Sequence, residues 1–301
     1  MAGGESVTGE GPRTRPPNRI LAGILFMCAA GLLFPVMSGF AKILGQEGFN
    51  SLQVSWARAF GHIVFMLAVF VPRFGLGMLR TRRPVVQVMR SALLFTSNAT
   101  SFLALVFIPI AKTATISLTA PLFVVPLAWL MLGERTTRGR LVALVIGFAG
   151  VVIVIRPGTE LFHWASLIVV VGAVCYAVYQ VLTRRVAAED PPETSAIYSS
   201  VVGAFGMLLV LPFVWTTPQT WREVAMFCSL GCIGALGHYF VARALTYAPA
   251  GIVSPFQYMQ LLGSVAIGYL FFGDFPDLWG WVGAAIIVGA GLWVGWSQRK
   301  A

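Results

Sequence analysis

Charge is scarce in this sequence. Asp, Glu, Lys and Arg make up 11% of its 301 residues, against about 25% in soluble domains. Hydrophobic residues make up 57%, more apolar surface than a soluble fold of this size hides from water, so lipid is expected as the solvent for much of the chain. Acidic residues are the scarcer sign: there are eleven, and none lies in the middle of an apolar run. Proton and sodium coupling usually rests on carboxylates within the membrane. Facilitated diffusion or exchange is therefore expected ahead of carboxylate-driven symport, with His62 and His238 as the candidates that titrate near neutral pH. The chain has no Gly-Lys-Ser/Thr phosphate loop, which excludes direct drive by ATP. It has no His-Glu-x-x-His pair and no membrane Asp, so an intramembrane enzyme is left only with Ser199 or Ser200 beside His238. Cysteine is also sparse. Cys28, Cys175, Cys228 and Cys232 all sit inside apolar runs, which argues against a disulfide framework. Cys228 and Cys232 share a helix face and read either as a metal or redox pair or as small packing residues. No cofactor and no resident metal are expected.

What is abundant is long apolar runs. Ten candidate spans occupy about 20–43, 51–72, 85–107, 111–132, 139–156, 163–183, 194–215, 221–245, 249–272 and 277–297, each near the 20 residues a bilayer requires. Gly, Pro or charge marks nearly all the short connections, and Trp164, Trp215, Trp221, Trp279 and Trp296 fall near span ends, where an amphipathic ring prefers the interface. Residues 1–18 read as a disordered tail. The first run is long and lacks an early cleavage signature, so it is expected to remain as the first helix. The net charge of +10 does not indicate nucleic acid, because the basic residues sit in short clusters between apolar runs. With the N-terminus inside, sixteen basic residues fall on the cytoplasmic side and four (Lys42, Lys112, Arg156 and Arg222) on the other. That bias puts both termini in the cytoplasm of a cell (inner or plasma) membrane protein and requires an even number of spans.

The chain also repeats itself. Residues 104–109 read ALVFIP and residues 244–249 read ALTYAP. At the same offset of 140, Leu122 matches Leu262, Val125 matches Val265, Gly133 matches Gly273 and Glu134 matches Asp274. Each copy holds five spans, an odd number, so the second crosses the membrane in the opposite sense, as in alternating-access transporters. The stretch APLFVVPLAWLMLGERTTRGRLVALVIGFAGVVIVIRPG, residues 120–158, resembles the end of an EamA repeat, the unit of the drug/metabolite transporter superfamily. GDFPDLWGWVGAAIIVGAGLWV, residues 273–294, resembles the same place in a second repeat. The resemblance implies an all-α membrane fold of ten helices with a central cavity, divided into residues 19–158 and 159–298. It names no substrate: members of the superfamily carry amino acids, nucleotide sugars, cofactors, nucleosides and drugs.

A polar side chain in hydrocarbon asks for an explanation. Arg58 lies about eight residues into the second span and reads either as an anion contact in the cavity or as a structural, snorkelling Arg. Asn98 and His238 occupy the same repeat register and are expected to face one cavity from opposite halves; the bland alternative is helix–helix hydrogen bonding. Tyr176 and Gln180 match Phe34 and Ser38 at an offset of 142, with Tyr179 beside them. Gln257 and Tyr258 complete the candidate set. Pro35, Pro121 and Pro255 each remove a backbone hydrogen bond and read as kinks, for gating or for packing. Gly291 and Gly295 form a small-residue face that suits a homodimer or, more simply, internal packing. The leading expectation is a carrier of small metabolites, most simply an exporter or exchanger of amino acids or similar amphipathic solutes. A carrier of a cofactor, nucleoside or drug is the alternative, and a scaffold or sensor is a third class.

Overall fold

The computed structural model describes residues 20–132, 138–186, 189–247 and 254–297, which form helices joined by turns, with no strand among them. The tail, the loop holding Glu134 and residues 248–253 lie outside that set. In chain order the helices are α1 (Ile20–Gln46), α2 (Ser51–Phe74), α3 (Pro84–Leu105), α4 (Ile110–Ser117), α5 (Ala120–Leu132), α6 (Arg138–Ile155) and α7 (Ala165–Val186). They continue with α8 (Pro192–Tyr198), α9 (Val201–Phe205), α10 (Leu211–Val214), α11 (Trp221–Tyr247), α12 (Met259–Phe272) and α13 (Leu278–Ser297). Five segments among the described residues are long and apolar enough to cross a bilayer: 20–46, 51–73, 110–131, 165–183 and 221–241. Apolar helices at 141–155, 256–272 and 278–293 are shorter. With α3 and the segment from α8 to α10, these occupy all ten expected spans.

Three expected spans are not single helices. The fourth breaks at Leu118 and Thr119, where the Thr119 hydroxyl donates to the Ile116 carbonyl at 2.6 Å. Pro121 therefore stands in the first turn of α5, where a missing N–H is tolerated, and is not a mid-helix kink. The proline inside α5 is Pro126. The ninth span changes from a 3-10 turn, Ser254–Tyr258, to α12 at Met259, 140 residues after the break in the fourth. Pro255 lies in that turn. Pro35 lies inside α1 and packs against Gly263, where an added Cβ would meet the proline ring at 2.8 Å. The seventh span is the most fragmented one, because Ser199, Ser200, Gly203, Gly206 and Pro212 all favour leaving the helix. Its freed backbone groups are taken up by neighbours: Val202 N–H donates to Ser91 Oγ at 2.8 Å, and the Trp56 indole donates to the Ala204 carbonyl at 3.0 Å. Without water, such groups need protein partners.

The packing is that of two equivalent halves. Helix α1 lies along α11 as α7 lies along α3; α1 meets α12 as α7 meets α4 and α5; α6 and α13 pack on each other. Exchanging each span for the one five later maps these contacts onto themselves. On α13, Gly291 lies under the Tyr258 hydroxyl, a contact within the chain.

The loops sort to two ends. At one, Lys42 pairs with Asp274 at 2.6 Å and Arg222 with Glu47 at 2.7 Å, while Arg156 pairs with Asp277 and Lys112 reaches the Leu161 carbonyl at 3.4 Å. The four cations on the charge-poor side are thus all partnered. At the other end the 2–3 loop and the start of α3 lock onto Asp190, which accepts from Thr81, from the Arg82 N–H at 2.9 Å and from Gln87 at 2.7 Å. Burial alone would raise the pKa of Asp190, but these hydrogen bonds outweigh it and hold the carboxyl below its ordinary range. Arg83 does the same for Glu189 through an exposed pair at 2.8 Å.

Candidate functional site

Glycines decide where the polar side chains meet. Helices α2 and α11 cross at Gly61 and Gly231, so close that a Cβ on Gly61 would lie 3.0 Å from the Gly231 Cα. Arg58 and His62 are four apart and share one face of α2. The crossing lays that face on Gly234 and His238, and a Cβ on Gly234 would sit 3.4 Å from Arg58 Nε. Gly237, one turn on, receives the ring of Phe34 from α1. At 1.5 Å per residue, Arg58 lies about 10 Å and His62 about 16 Å along α2 from Ser51, which brackets the midplane of a core about 30 Å thick.

Arg58 is 3% exposed and His62 2% exposed. The guanidinium Nη2 lies 3.0 Å from His238 Nε2. Arginine only donates, so Nε2 is the acceptor and a neutral His238 carries its proton on Nδ1. The His62 and His238 rings are 5.9 Å apart, and Phe34 meets His238 edge-on at 5.4 Å. The phenols of Tyr176 and Tyr179 lie within electrostatic reach of Arg58, their rings stacked at 5.6 Å. Arg58 Nε is buried with no hydrogen-bond partner. Neither ring nitrogen of His62 completes a hydrogen bond, although the Ala196 backbone is close. The chemistry on offer is a buried cation, two imidazoles and three aromatic rings contributed by both halves. Such a set offers a cation and flat ring faces to a solute; of the two serines considered beside His238, Ser199 donates its Oγ hydroxyl to the Ser195 carbonyl at 2.7 Å.

Tyr179 links this centre to the locked end. Its hydroxyl lies 3.2 Å from Ser199 Oγ, and the Arg90 guanidinium stands over its ring at 5.0 Å. Arg90 itself donates to Thr183 at 2.9 Å and to Gln87.

The other sequence candidates are placed elsewhere or have simpler duties. The Asn98 amide donates to the Leu94 carbonyl of its own helix at 2.7 Å, and the residue brought to His238 is Arg58. Gln180 is half-buried on α7 beside Tyr179, and Gln257 is half-buried in the turn that packs on α1. Tyr258 points at α13. Cys228 and Cys232 are free and exposed, and among the described residues no three His, Cys, Asp or Glu side chains cluster as a metal site. A cavity of 480 Å³ opens at the end that holds Asn50, between the 1–2 loop and α3; it is lined mainly by apolar groups including Phe49, Leu52, Leu103 and Phe107. The sequence signals that point to the Arg58 centre were the i,i+4 pairing of Arg58 with His62 and the three-residue spacing of Gly231, Gly234 and Gly237.

The EamA-like transporter family model matches residues 21–156 and 163–296, one segment in each half. The S-adenosylmethionine uptake transporter of Rickettsia conorii is 31% identical over 261 residues, 87% of this chain and 88% of its own length. The riboflavin transporter of Vibrio cholerae is 30% identical, covering 93% of this chain and 95% of its own. The riboflavin transporter of Rhizobium johnstonii is 29% identical, covering 92% of each. A solved crystal structure shares the fold at a TM-score of 0.64 and 21% identity, over 93% of this chain and 99% of that one.

Proposed function

Because this chain belongs to the EamA-like transporter family, a family of multi-pass membrane proteins, we propose that it carries a cofactor-type solute with a planar ring across the plasma membrane. Transport proceeds by alternating access between the two halves, with both termini in the cytoplasm, and its direction is uptake. The observation that carries this reading is the Arg58–His238 contact: a buried polar pair that joins the first half to the second near the midplane, the place where inverted-repeat carriers hold their solute. The aromatic rings of Phe34, Tyr176 and Tyr179 supply faces for a flat solute. Amino-acid export, the leading expectation from the sequence, gives way to the cofactor alternative, which is supported by relatives named for S-adenosylmethionine and riboflavin. Uptake by purified protein in liposomes, with labelled S-adenosylmethionine, riboflavin and a mixture of amino acids, tests the choice. Accumulation of either cofactor supports it, accumulation of amino acids alone restores the first expectation, and accumulation of none removes both.

A further inference from the structure

The Arg58 centre has an unbalanced charge. The guanidinium is always protonated and offers five donors, yet one contact is made to a neutral acceptor, His238, and Nε has no partner. No Asp or Glu lies in the middle of any described span. Acidic side chains stand at the ends, where Asp274, Asp277, Glu47 and Glu189 are already paired with Lys42, Arg156, Arg222 and Arg83. Arg90, the other buried arginine among the described residues, donates to the neutral Thr183 and Gln87 and sits toward Asp190, and Arg243, whose Nε also has no partner, lies near the C-terminal end of α11 with Nη2 on the Tyr247 hydroxyl. Among the described residues, Arg58 is thus the cation without a carboxylate partner that lies nearest the midplane. A charge so placed is costly unless something neutralises it.

Resting on the carrier reading above, we propose that the transported solute bears a single carboxylate, which binds Arg58, beside a planar ring that lies against Tyr176 and Tyr179. The charge count selects the anion. One carboxylate group matches the one charge of Arg58, whereas a phosphate dianion exceeds it; the next buried arginine, Arg90, stands over Tyr179 and toward Asp190. A carboxylate also matches the planar fork of a guanidinium, which takes it through two parallel hydrogen bonds. The stacked pair Tyr176–Tyr179 is one helix away and offers the ring its face.

The test is uptake into liposomes of four probes: S-adenosylmethionine, its decarboxylated analogue, riboflavin and flavin mononucleotide. It is run with the wild-type protein, Arg58→Lys and Arg58→Gln, alongside ligand-free melting in detergent. The wild type should take up S-adenosylmethionine with an affinity roughly 10–100-fold above the decarboxylated analogue, the value of a charge-assisted hydrogen-bond pair, and should not favour flavin mononucleotide over riboflavin. Arg58→Gln should abolish the carboxylate preference and Arg58→Lys should retain part of it. Ligand-free Arg58→Gln should melt no lower than wild type, because it removes an unpaired buried charge. Equal uptake of the decarboxylated analogue or of riboflavin, unchanged by Arg58→Gln, overturns the proposal and leaves the carrier reading intact. So does an Arg58→Gln protein that melts several degrees lower while keeping wild-type affinity, since Arg58 is then structural. Uptake of no probe by the wild type is the separate outcome that removes the carrier reading itself.

Discussion

At the scale of the residue, the contrast is between Asn98 and His238. Both are polar in apolar helices and both occupy one repeat register, so sequence periodicity treats them alike. The structure separates them by their partners. The Asn98 amide is held by a carbonyl of its own helix, whereas His238 accepts from a side chain of the other half. His238→Ala removes the acceptor from Arg58 and the edge partner of Phe34, and is expected to weaken solute affinity by about 1–3 kcal/mol, or roughly 5–150-fold. Asn98→Ala is expected to leave affinity within about threefold and to lower stability by about 1 kcal/mol at most, the worth of a membrane hydrogen bond. Affinity from ligand-induced stabilisation, measured beside the melting temperature, separates the two. Equal losses of affinity in both variants would place Asn98 in the solute site after all.

At the scale of the element, hydropathy made the spans legible and repeat register made the two halves legible, because apolar length and odd span number are one-dimensional properties. The breaks were not. Pro121 suggested a kink in the fourth span, but the helix already ends at Ser117, and a proline cannot say on which side of itself a helix stops. The seventh span reads as one apolar run, and only the supply of outside partners, Ser91 and Trp56, makes its fragmentation tolerable. The same limit applied to the site. A three-residue glycine spacing on α11 is visible in the sequence, but which helix it receives depends on packing. Gly231→Ala tests that crossing. Its Cβ would press on the Gly61 backbone, and backbone cannot step aside as a side chain tip does, so a destabilisation of about 1–3 kcal/mol is expected. The readout is a melting temperature lowered by a few degrees together with weakened solute binding, because the two helices that hold Arg58 and His238 are forced apart. A loss of stability without loss of binding would show that the centre does not depend on the crossing.

At the scale of the whole molecule, the ends and the middle follow different electrostatics. The loops carry paired charges. Arg156 holds Asp277 below its ordinary range as Arg83 holds Glu189, and Asp190 behaves likewise. Groups whose folded pKa is depressed contribute stability above the ordinary carboxylate value and lose it as pH falls through the folded value. The contribution of these carboxylates to the melting temperature in detergent is therefore expected to hold from neutral pH to about 5 and to be lost below about 4. A fall beginning near pH 6 would implicate histidine instead. Topology is tested by reporter fusions: those after Arg83 and Arg185 should report cytoplasm, and those after Glu47 and Asp277 the outside. A cytoplasmic Asp277 would remove the inversion, because the loops after the fourth and ninth spans must face opposite sides. The broken seventh span has a further use. The Val202 amide hydrogen is held by a serine of α3 and not by its own helical ladder, so its protection against deuterium lasts only while α3 and α9 stay in register. Exchange at that one amide is expected to time the separation of the halves, with no group added to the chain.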